Sequence, residues 1–252
     1  ARHRDAGGSG RIMMNDEGIF GGHPWLRPAS LILILAALAA IAAGASRTPM
    51  IMREHPPDAP KLRRIADDDP AIRAEATVLV RLKTGEMLYQ RRAAERLPIA
   101  SLTKLMTALL FAESVPPLET VAFSVAAKTV GRPEDKRSDV REGARLKAED
   151  ILKLILVSSD NDAAYAAAEA ATSRMRPALA GALFQERIAA FVELMNRRAE
   201  ALGLPNTRFA NPGGTDDPGN YSTANDLARF AAAIDAERPE LWTISRTPET
   251  FV

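Results

Sequence analysis

The stretch Ala100-Ser101-Leu102-Thr103-Lys104-Leu105-Met106-Thr107-Ala108-Leu109 constrains this chain more than any other. Leu102, Leu105, Met106, Leu109 and Leu110 recur at helical spacing and predict a helix that buries one apolar face. Ser101 and Lys104 stand three residues apart, which on a helix puts their side chains on one face, a turn apart and within reach of each other. Pro98, just upstream, suits an extended approach and a helix start at Ala100-Ser101. A serine hydroxyl is a poor nucleophile until a base takes its proton. A lysine can be that base where burial or neighbouring cations populate its neutral amine. The same spacing also describes a capping serine followed by a solvated lysine, so the rest of the chain has to decide between the two.

Composition removes most competitors. The only histidines are His3, His23 and His55, and there is no cysteine, so from Pro56 to Val252 the chain holds neither residue type. That excludes a Ser-His-Asp triad, a Cys-His dyad and an ordinary zinc site in that region. Any acyl-transfer base there is a Lys, a Tyr or a carboxylate, and Ser101/Lys104 is the natural candidate pair. A net charge of +1 points to no nucleic-acid partner. At 252 residues the chain has room for one large domain or two small ones.

Read in order, residues 1–45 form a leader: a polar, Arg-containing start, Arg27, then an apolar run over residues 30–45 that ends Ala43-Gly44-Ala45. This is the pattern of a secretory signal peptide, expected to be cleaved near Ala45-Ser46, with an uncleaved membrane anchor as the competing reading. Residues 46–74, rich in Pro, Arg and Asp, read as a linker. Thr77–Gln90 reads as a β-hairpin with Lys83-Thr84-Gly85 in its turn. Thr120–Arg145 is polar and predicts loops with small strands or turns. A helix follows from Ala148 through Leu156 and stops at Ser158-Ser159-Asp160-Asn161, which are turn and cap residues. The next helix, Asp162–Ala171, is almost all alanine and must pack tightly. Gln185–Leu202 predicts a long amphipathic helix ended by Gly203. Asn211-Pro212-Gly213-Gly214 reads as a turn, and Thr223-x-x-Asp226 as the N-cap of a helix through Ala236 that Pro239 closes. Phe251-Val252 looks like the approach to a further strand.

Ser159-Asp160-Asn161 is the second chemical element. On a loop between two helices it offers a hydroxyl that can relay a proton to a leaving amine, and an amide that can hold the lysine and a substrate carbonyl. S-x-x-K followed by S-D-N is the shared signature of penicillin-binding proteins and class A β-lactamases. The wider text resembles the low-molecular-mass penicillin-binding proteins, the serine D-alanyl-D-alanine carboxypeptidase family. The resembling pieces include Thr84–Tyr89, Pro98–Ala108, Leu156–Ala164, Met195-Asn196 with Ala201–Leu204, Asn206–Pro212 and Tyr221–Ala228, from about residue 75 onward and in family order.

The resemblance implies an α/β (α+β) fold of the penicillin-binding/β-lactamase-like transpeptidase kind, a helical subdomain plus an antiparallel sheet. It implies Ser101 as the acylated nucleophile, Lys104 as its base, Ser159 as the proton shuttle to the departing D-alanine, and Asn161 as the residue that positions substrate and Lys104. One oxyanion donor would be the Ser101 backbone N–H. The implied partners are the peptidoglycan stem peptide as substrate and β-lactam antibiotics as covalent inhibitors, with no cofactor and no metal. The implied location is outside the cytoplasm, in the periplasm or on the outer face of the membrane, with membrane association through the apolar leader segment.

There are departures. The family's K-T-G lies on a strand downstream of the nucleophile, whereas Lys83-Thr84-Gly85 precedes it. The family's usual Gly-Leu after Asn-Pro-x is here Gly214-Thr215. Residues 75–252 are therefore expected to be the N-terminal part of a carboxypeptidase catalytic domain, truncated before the inner strands, and an inactive truncated cell-wall-binding protein is one alternative. A DD-endopeptidase of the same family uses the same residues. A class A β-lactamase needs a Glu-x-x-Asn deacylation loop, and Glu193-Leu194-Met195-Asn196 supplies the letters; its setting in a helical pattern with Phe191 predicts a helix instead.

Overall fold

The structure is a computed structural model that describes residues 72–130 and 139–248. The leader over residues 1–45, the linker up to residue 71 and the closing Phe251-Val252 lie outside the described residues.

The first elements are the predicted hairpin. Strands β1 (Thr77–Arg81) and β2 (Glu86–Arg91) pair antiparallel, Thr77 opposite Arg91 and Arg81 opposite Glu86, with a bulge between Leu79 and Val80. Lys83-Thr84-Gly85 occupies the turn, where Gly85 takes φ 70° and its N–H donates to the Arg81 carbonyl at 2.9 Å. A residue with a Cβ resists that conformation, so this K-T-G is explained by turn geometry.

After β3 (Leu97–Pro98), a 3₁₀ turn (Ala100–Thr103) leads into α1 (Lys104–Ser114). Strand β4 (Thr120–Ala122), the short helix α2 (Val125–Thr129) and strand β5 (Arg145–Lys147) follow, with β4 and β5 paired antiparallel. The polar segment after Thr120 thus holds the small strands expected of it and one short helix that was not. Ser124 is the reason for that helix: its Oγ accepts from the Ala127 N–H at 3.0 Å and caps the turn.

The helices α3 (Ala148–Leu156), α4 (Asn161–Met175) and α5 (Phe184–Ala201) carry the core. Ala163, Ala164, Ala166, Ala167, Ala168 and Ala171 of α4 are all fully buried. A helix buried all round must be small all round, and alanine also has the highest helix propensity. The volume is supplied by its neighbours: Met106, Leu109, Leu110 and Phe111 from α1, Ile151 and Ile155 from α3, Phe191 and Met195 from α5. Each such large side chain contributes roughly 1.5–3 kcal/mol by leaving water. Helix α5 presents Ile188, Phe191, Met195 and Ala199 inward and ends as predicted: Gly203 has φ 68° and Leu204 N–H donates back to the Ala199 carbonyl at 3.0 Å.

Strand β6 (Tyr221–Ser222) pairs with β3, so among the described residues the strands form separate two-stranded pairs. Helix α6 (Ala224–Glu237) begins where Thr223 Oγ1 accepts from the Asp226 N–H at 3.1 Å, as its sequence predicts. Pro239 then precedes α7 (Glu240–Ser245), which was not predicted because six residues are too few for a period to be read.

The all-alanine packing of α4 yields a test. Ala167→Leu adds bulk at a fully buried position, and should lower unfolding stability by about 1–3 kcal/mol in a denaturant titration. An unchanged midpoint would mean that α4 has free space beside it.

Candidate active site

Ser101 sits in the 3₁₀ turn, and Lys104 is the residue at which the α-helix takes over. In a 3₁₀ turn side chains three apart eclipse one another. This tighter winding, rather than the α-helix expected from periodicity, brings Lys104 Nζ to 3.3 Å from Ser101 Oγ. It also rotates Leu102 off the apolar face: periodicity predicted burial, and Leu102 is 47% exposed. Lys104 itself is buried, 3% exposed.

The buried amine is tied to a distant segment. Lys104 Nζ donates to the Gly213 carbonyl at 2.6 Å, and Thr107 Oγ1, one turn along the helix, donates to the Pro212 carbonyl at 2.7 Å. Two side chains of α1 therefore hold two successive carbonyls. The segment they hold is a turn fastened by side-chain amides: Asn211 Oδ1 accepts from the N–H groups of Gly214 (2.7 Å) and Thr215 (3.1 Å), while Asn211 and Asn220 both donate to the Thr215 carbonyl. Gly214 takes φ 78°, and a Cβ there would lie 2.0 Å from the Ala100 carbonyl oxygen and 3.1 Å from the Ser101 nitrogen. Only glycine allows this backbone to lie against Ala100 and Ser101. A cleft of about 310 Å³, lined by Pro98, Ala100, Gly214, Thr215, Asp217 and Asn220, opens beside this junction.

The Ser159-Asp160-Asn161 loop arrives from the other side. Asp160 caps α4, its Oδ1 accepting from the Ala163 N–H at 2.6 Å. Ser159, just before the cap, takes φ 58°, and its Oγ donates to Ser101 Oγ at 3.0 Å. Asn161 is the first residue of α4 and is 7% exposed. Its Oδ1 makes no hydrogen bond to any described residue, and it lies against Gly213, where an added Cβ would be 3.1 Å away. A buried amide oxygen without a partner is costly, and a site that receives a peptide is a place where such a group finds one.

The structure thus brings Ser101, Lys104 and Ser159 into contact and sets Asn161 beside the segment that Lys104 holds. Sequence reading missed three members of the arrangement: Thr107 and the backbone of Gly213 and Gly214. A signal existed for the first, since Ser101, Lys104 and Thr107 repeat every third residue, and the double glycine after Asn211-Pro212 hinted at the others. Glu193 and Asn196 fall inside α5, as predicted. Asn196 bonds to both the N–H and the carbonyl of Phe209 at 2.9 Å, and Glu193, 59% exposed at its side chain, pairs with Arg176. They form no deacylation pair at Ser101. Among the described residues no cluster of His, Asp and Glu is placed to hold a metal ion.

Comparison with known proteins places the chain in a family. Residues 63–252 match the model of the peptidase S11 family, described as D-alanyl-D-alanine carboxypeptidase. The chain belongs to this S11 family. A D-alanyl-D-alanine endopeptidase of Pseudomonas aeruginosa is 37% identical over 67% of this chain and 49% of its own length. D-alanyl-D-alanine carboxypeptidase DacF of Bacillus subtilis is 34% identical over 64% of this chain and 39% of its own. DacC of Escherichia coli is 33% identical over 71% of this chain and 44% of its own. The chain thus spans about half, or less, of the length of these curated relatives. Among solved structures, penicillin binding protein 6B from Escherichia coli gives a TM-score of 0.63 at 28% identity, covering 77% of this chain and 57% of that one. The carboxypeptidase DacD from Francisella tularensis gives 0.59 at 29%, covering 69% and 40%. The S11 chain therefore has the penicillin-binding, DD-transpeptidase type of fold expected from its motifs.

Gly214→Ala should destabilise the protein far more than Gly213→Ala. The first meets backbone at 2.0 Å and a left-handed φ, whereas the second meets side chains at 3.1 Å and beyond. The left-handed conformation alone costs on the order of 1–3 kcal/mol for a residue with a Cβ. Thermal melts of the two variants decide, and equal melting temperatures would refute the close approach.

Proposed function

We propose that the protein is a serine-type D-Ala-D-Ala carboxypeptidase that removes the terminal D-alanine from peptidoglycan stem peptides through an acyl-enzyme on Ser101. The observation that supports this best is the contact set at Ser101 Oγ, with Lys104 Nζ at 3.3 Å and Ser159 Oγ at 3.0 Å.

In this reading Ser101 Oγ attacks the carbonyl carbon between the two D-alanines, and its proton passes to Lys104 Nζ. A lysine must be neutral to act so, and burial works against the charged form of an amine. The bond to the Gly213 carbonyl holds the amine in place, with Nζ 3.3 Å from Ser101 Oγ. Negative charge develops on the substrate carbonyl oxygen and is met by the Ser101 backbone N–H. Ser159 gives its hydroxyl proton to the nitrogen of the departing D-alanine and regains one from Lys104, so that the C–N bond breaks and an ester on Ser101 remains. Water then attacks the ester, and the shortened peptide leaves with the Ser101 hydroxyl restored. Asn161 positions the peptide, its amide oxygen lacking a partner among the described residues. β-Lactam antibiotics acylate the same serine and stay on it.

The stem peptide lies outside the cytoplasmic membrane, and the apolar run over residues 30–45 is the means of getting there as a signal peptide or anchor. No helix among the described residues is long and apolar enough to cross a membrane. Protease treatment of spheroplasts checks the location, since a protein protected until lysis would be cytoplasmic. Cleavage of cross-linked peptides is the second reading, favoured by the Pseudomonas relative named as an endopeptidase. Assaying D-alanine release from a pentapeptide beside cleavage of a cross-linked dimer separates the two.

A fluorescent penicillin should label the full-length protein at Ser101, and Ser101→Ala should abolish labelling. A label mapped elsewhere, or one surviving the substitution, would overturn the assignment. Lys104→Arg should be nearly as damaging as Lys104→Ala, because arginine keeps its charge but does not release its proton in a protein. Stopped-flow acylation measures this, and a near-normal rate for the arginine variant would leave Lys104 with only an electrostatic role.

A further inference from the structure

The loop that carries Ser159 and Asn161 is held from outside by α2, a helix of five residues that the reaction does not itself use. Two polar ties fix α2 to α4. Ser124 Oγ donates to Glu169 Oε2 at 2.5 Å, and Glu169, 7% exposed at its side chain, also accepts from Arg187 of α5 at 2.6 Å. Two turns nearer the start of α4, Lys128 Nζ donates to Asp162 Oδ2 at 2.5 Å. Asp162 is fully buried and stands in the first turn of α4, directly after Asn161 and three residues after Ser159. The Lys128 side chain is 19% exposed.

A carboxylate with no access to water needs an oppositely charged partner, and removing that partner forces the charged group to move or the segment to give way. The segment here includes Ser159 at φ 58°, a conformation that a serine holds only where its surroundings impose it. The Ser159 hydroxyl must remain at 3.0 Å from Ser101 Oγ to exchange a proton with the substrate nitrogen. A side chain bonded to Asp162 is thus bonded to the same helix turn that begins at Asn161 and follows Ser159.

We propose that Lys128 is a positioning residue for this reaction: through its ion pair with Asp162 it holds the first turn of α4 so that Ser159 and Asn161 face Ser101. The inference rests on the acyl-enzyme reading above. Lys128 touches neither substrate nor reacting atoms in this account and acts through Asp162.

The test is the kinetics of acylation of the full-length protein by benzylpenicillin, measured as the rate constant at saturation and the concentration giving half of it. Lys128→Met should lower the rate constant by roughly tenfold or more, the scale expected when reacting groups shift by a fraction of an ångström, and should leave half-saturation little changed. Lys128→Arg, which can still bond Asp162, should recover most of the rate. A Lys128→Met variant that acylates like the unaltered protein, or a Lys128→Arg variant as slow as Lys128→Met, overturns the proposal. Should Lys128→Met fail to melt cooperatively, the double variant Lys128→Met/Asp162→Asn removes the buried charge together with its partner. It should fold and remain slow, and a normal rate in it overturns the proposal too. Absence of Ser101 labelling in the unaltered protein would instead overturn the acyl-enzyme reading and this inference with it, whereas normal labelling combined with an indifferent Lys128 defeats this inference alone.

Discussion

A primary amine taken out of water has to be bonded, and the bond from Lys104 to the Gly213 carbonyl is the contact on which the site depends. It joins residues 109 apart in sequence. Its consequences run outward in both directions. On the α1 side it fixes Lys104 at the place where the 3₁₀ turn becomes α-helix, which is what leaves Ser101 eclipsed above it. On the other side it requires a backbone carbonyl aimed into the protein, hence a turn whose own N–H groups are satisfied by Asn211. The turn must then approach Ala100 so closely that position 214 admits no side chain. Because the bond spans so much of the chain, closing it costs more loop entropy than a local contact would.

What the sequence made legible was whatever has a local cause. Helices α3, α4 and α5 follow from period and composition, Gly203 from its place after the last apolar residue, and the α6 start from Thr223-x-x-Asp226. Ser101, Lys104, Ser159 and Asn161 could be singled out because two short motifs occur at recognisable spacing in a stretch that offers no histidine or cysteine, and the fold brings Ser101, Lys104 and Ser159 together. What stayed illegible has tertiary causes. The 3₁₀ winding at Ser101 answers to Gly214 pressing on Ala100, and no window around residue 101 contains residue 214. The Lys128–Asp162 pair joins a five-residue helix to a buried carboxylate 34 residues away, and no local pattern links the two. Leu102 shows the same failure in reverse, an apolar residue in correct period that the tighter turn leaves exposed.

The character of α4 follows from its position between those two classes of cause. Its body is alanine and touches neighbours on every side, while its first turn carries Asp160, Asn161 and Asp162, all buried. Free N–H groups and the dipole at a helix start favour carboxylates there. One of the two acids is used as the cap and the other as the anchor for Lys128. The amide between them keeps an oxygen with no hydrogen-bond partner among the described residues. A closely packed, alanine-rich helix thus presents a polar tip.

Strain is concentrated in the same place. Among the described residues, three that are not glycine have positive φ: Arg92, Ala100 and Ser159. Two of these flank the Ser101 hydroxyl, Ala100 directly before Ser101 and Ser159 bonded to it. The glycine that presses on Ala100, Gly214, is itself at φ 78°. Backbone held in such conformations costs of order 1–3 kcal/mol per non-glycine residue and persists only where its surroundings over-determine it. The two beside Ser101 each have an identifiable restraint. Ala100 follows Pro98, which is paired to Tyr221 across β3 and β6, and Ser159 precedes the Asp160 cap. The strain is therefore not an accident of loop shape. It is what three segments from distant parts of the chain require if a serine hydroxyl, an amine and a second hydroxyl are to meet within hydrogen-bond distance. The alanine-packed core gives them a rigid frame in which to do so.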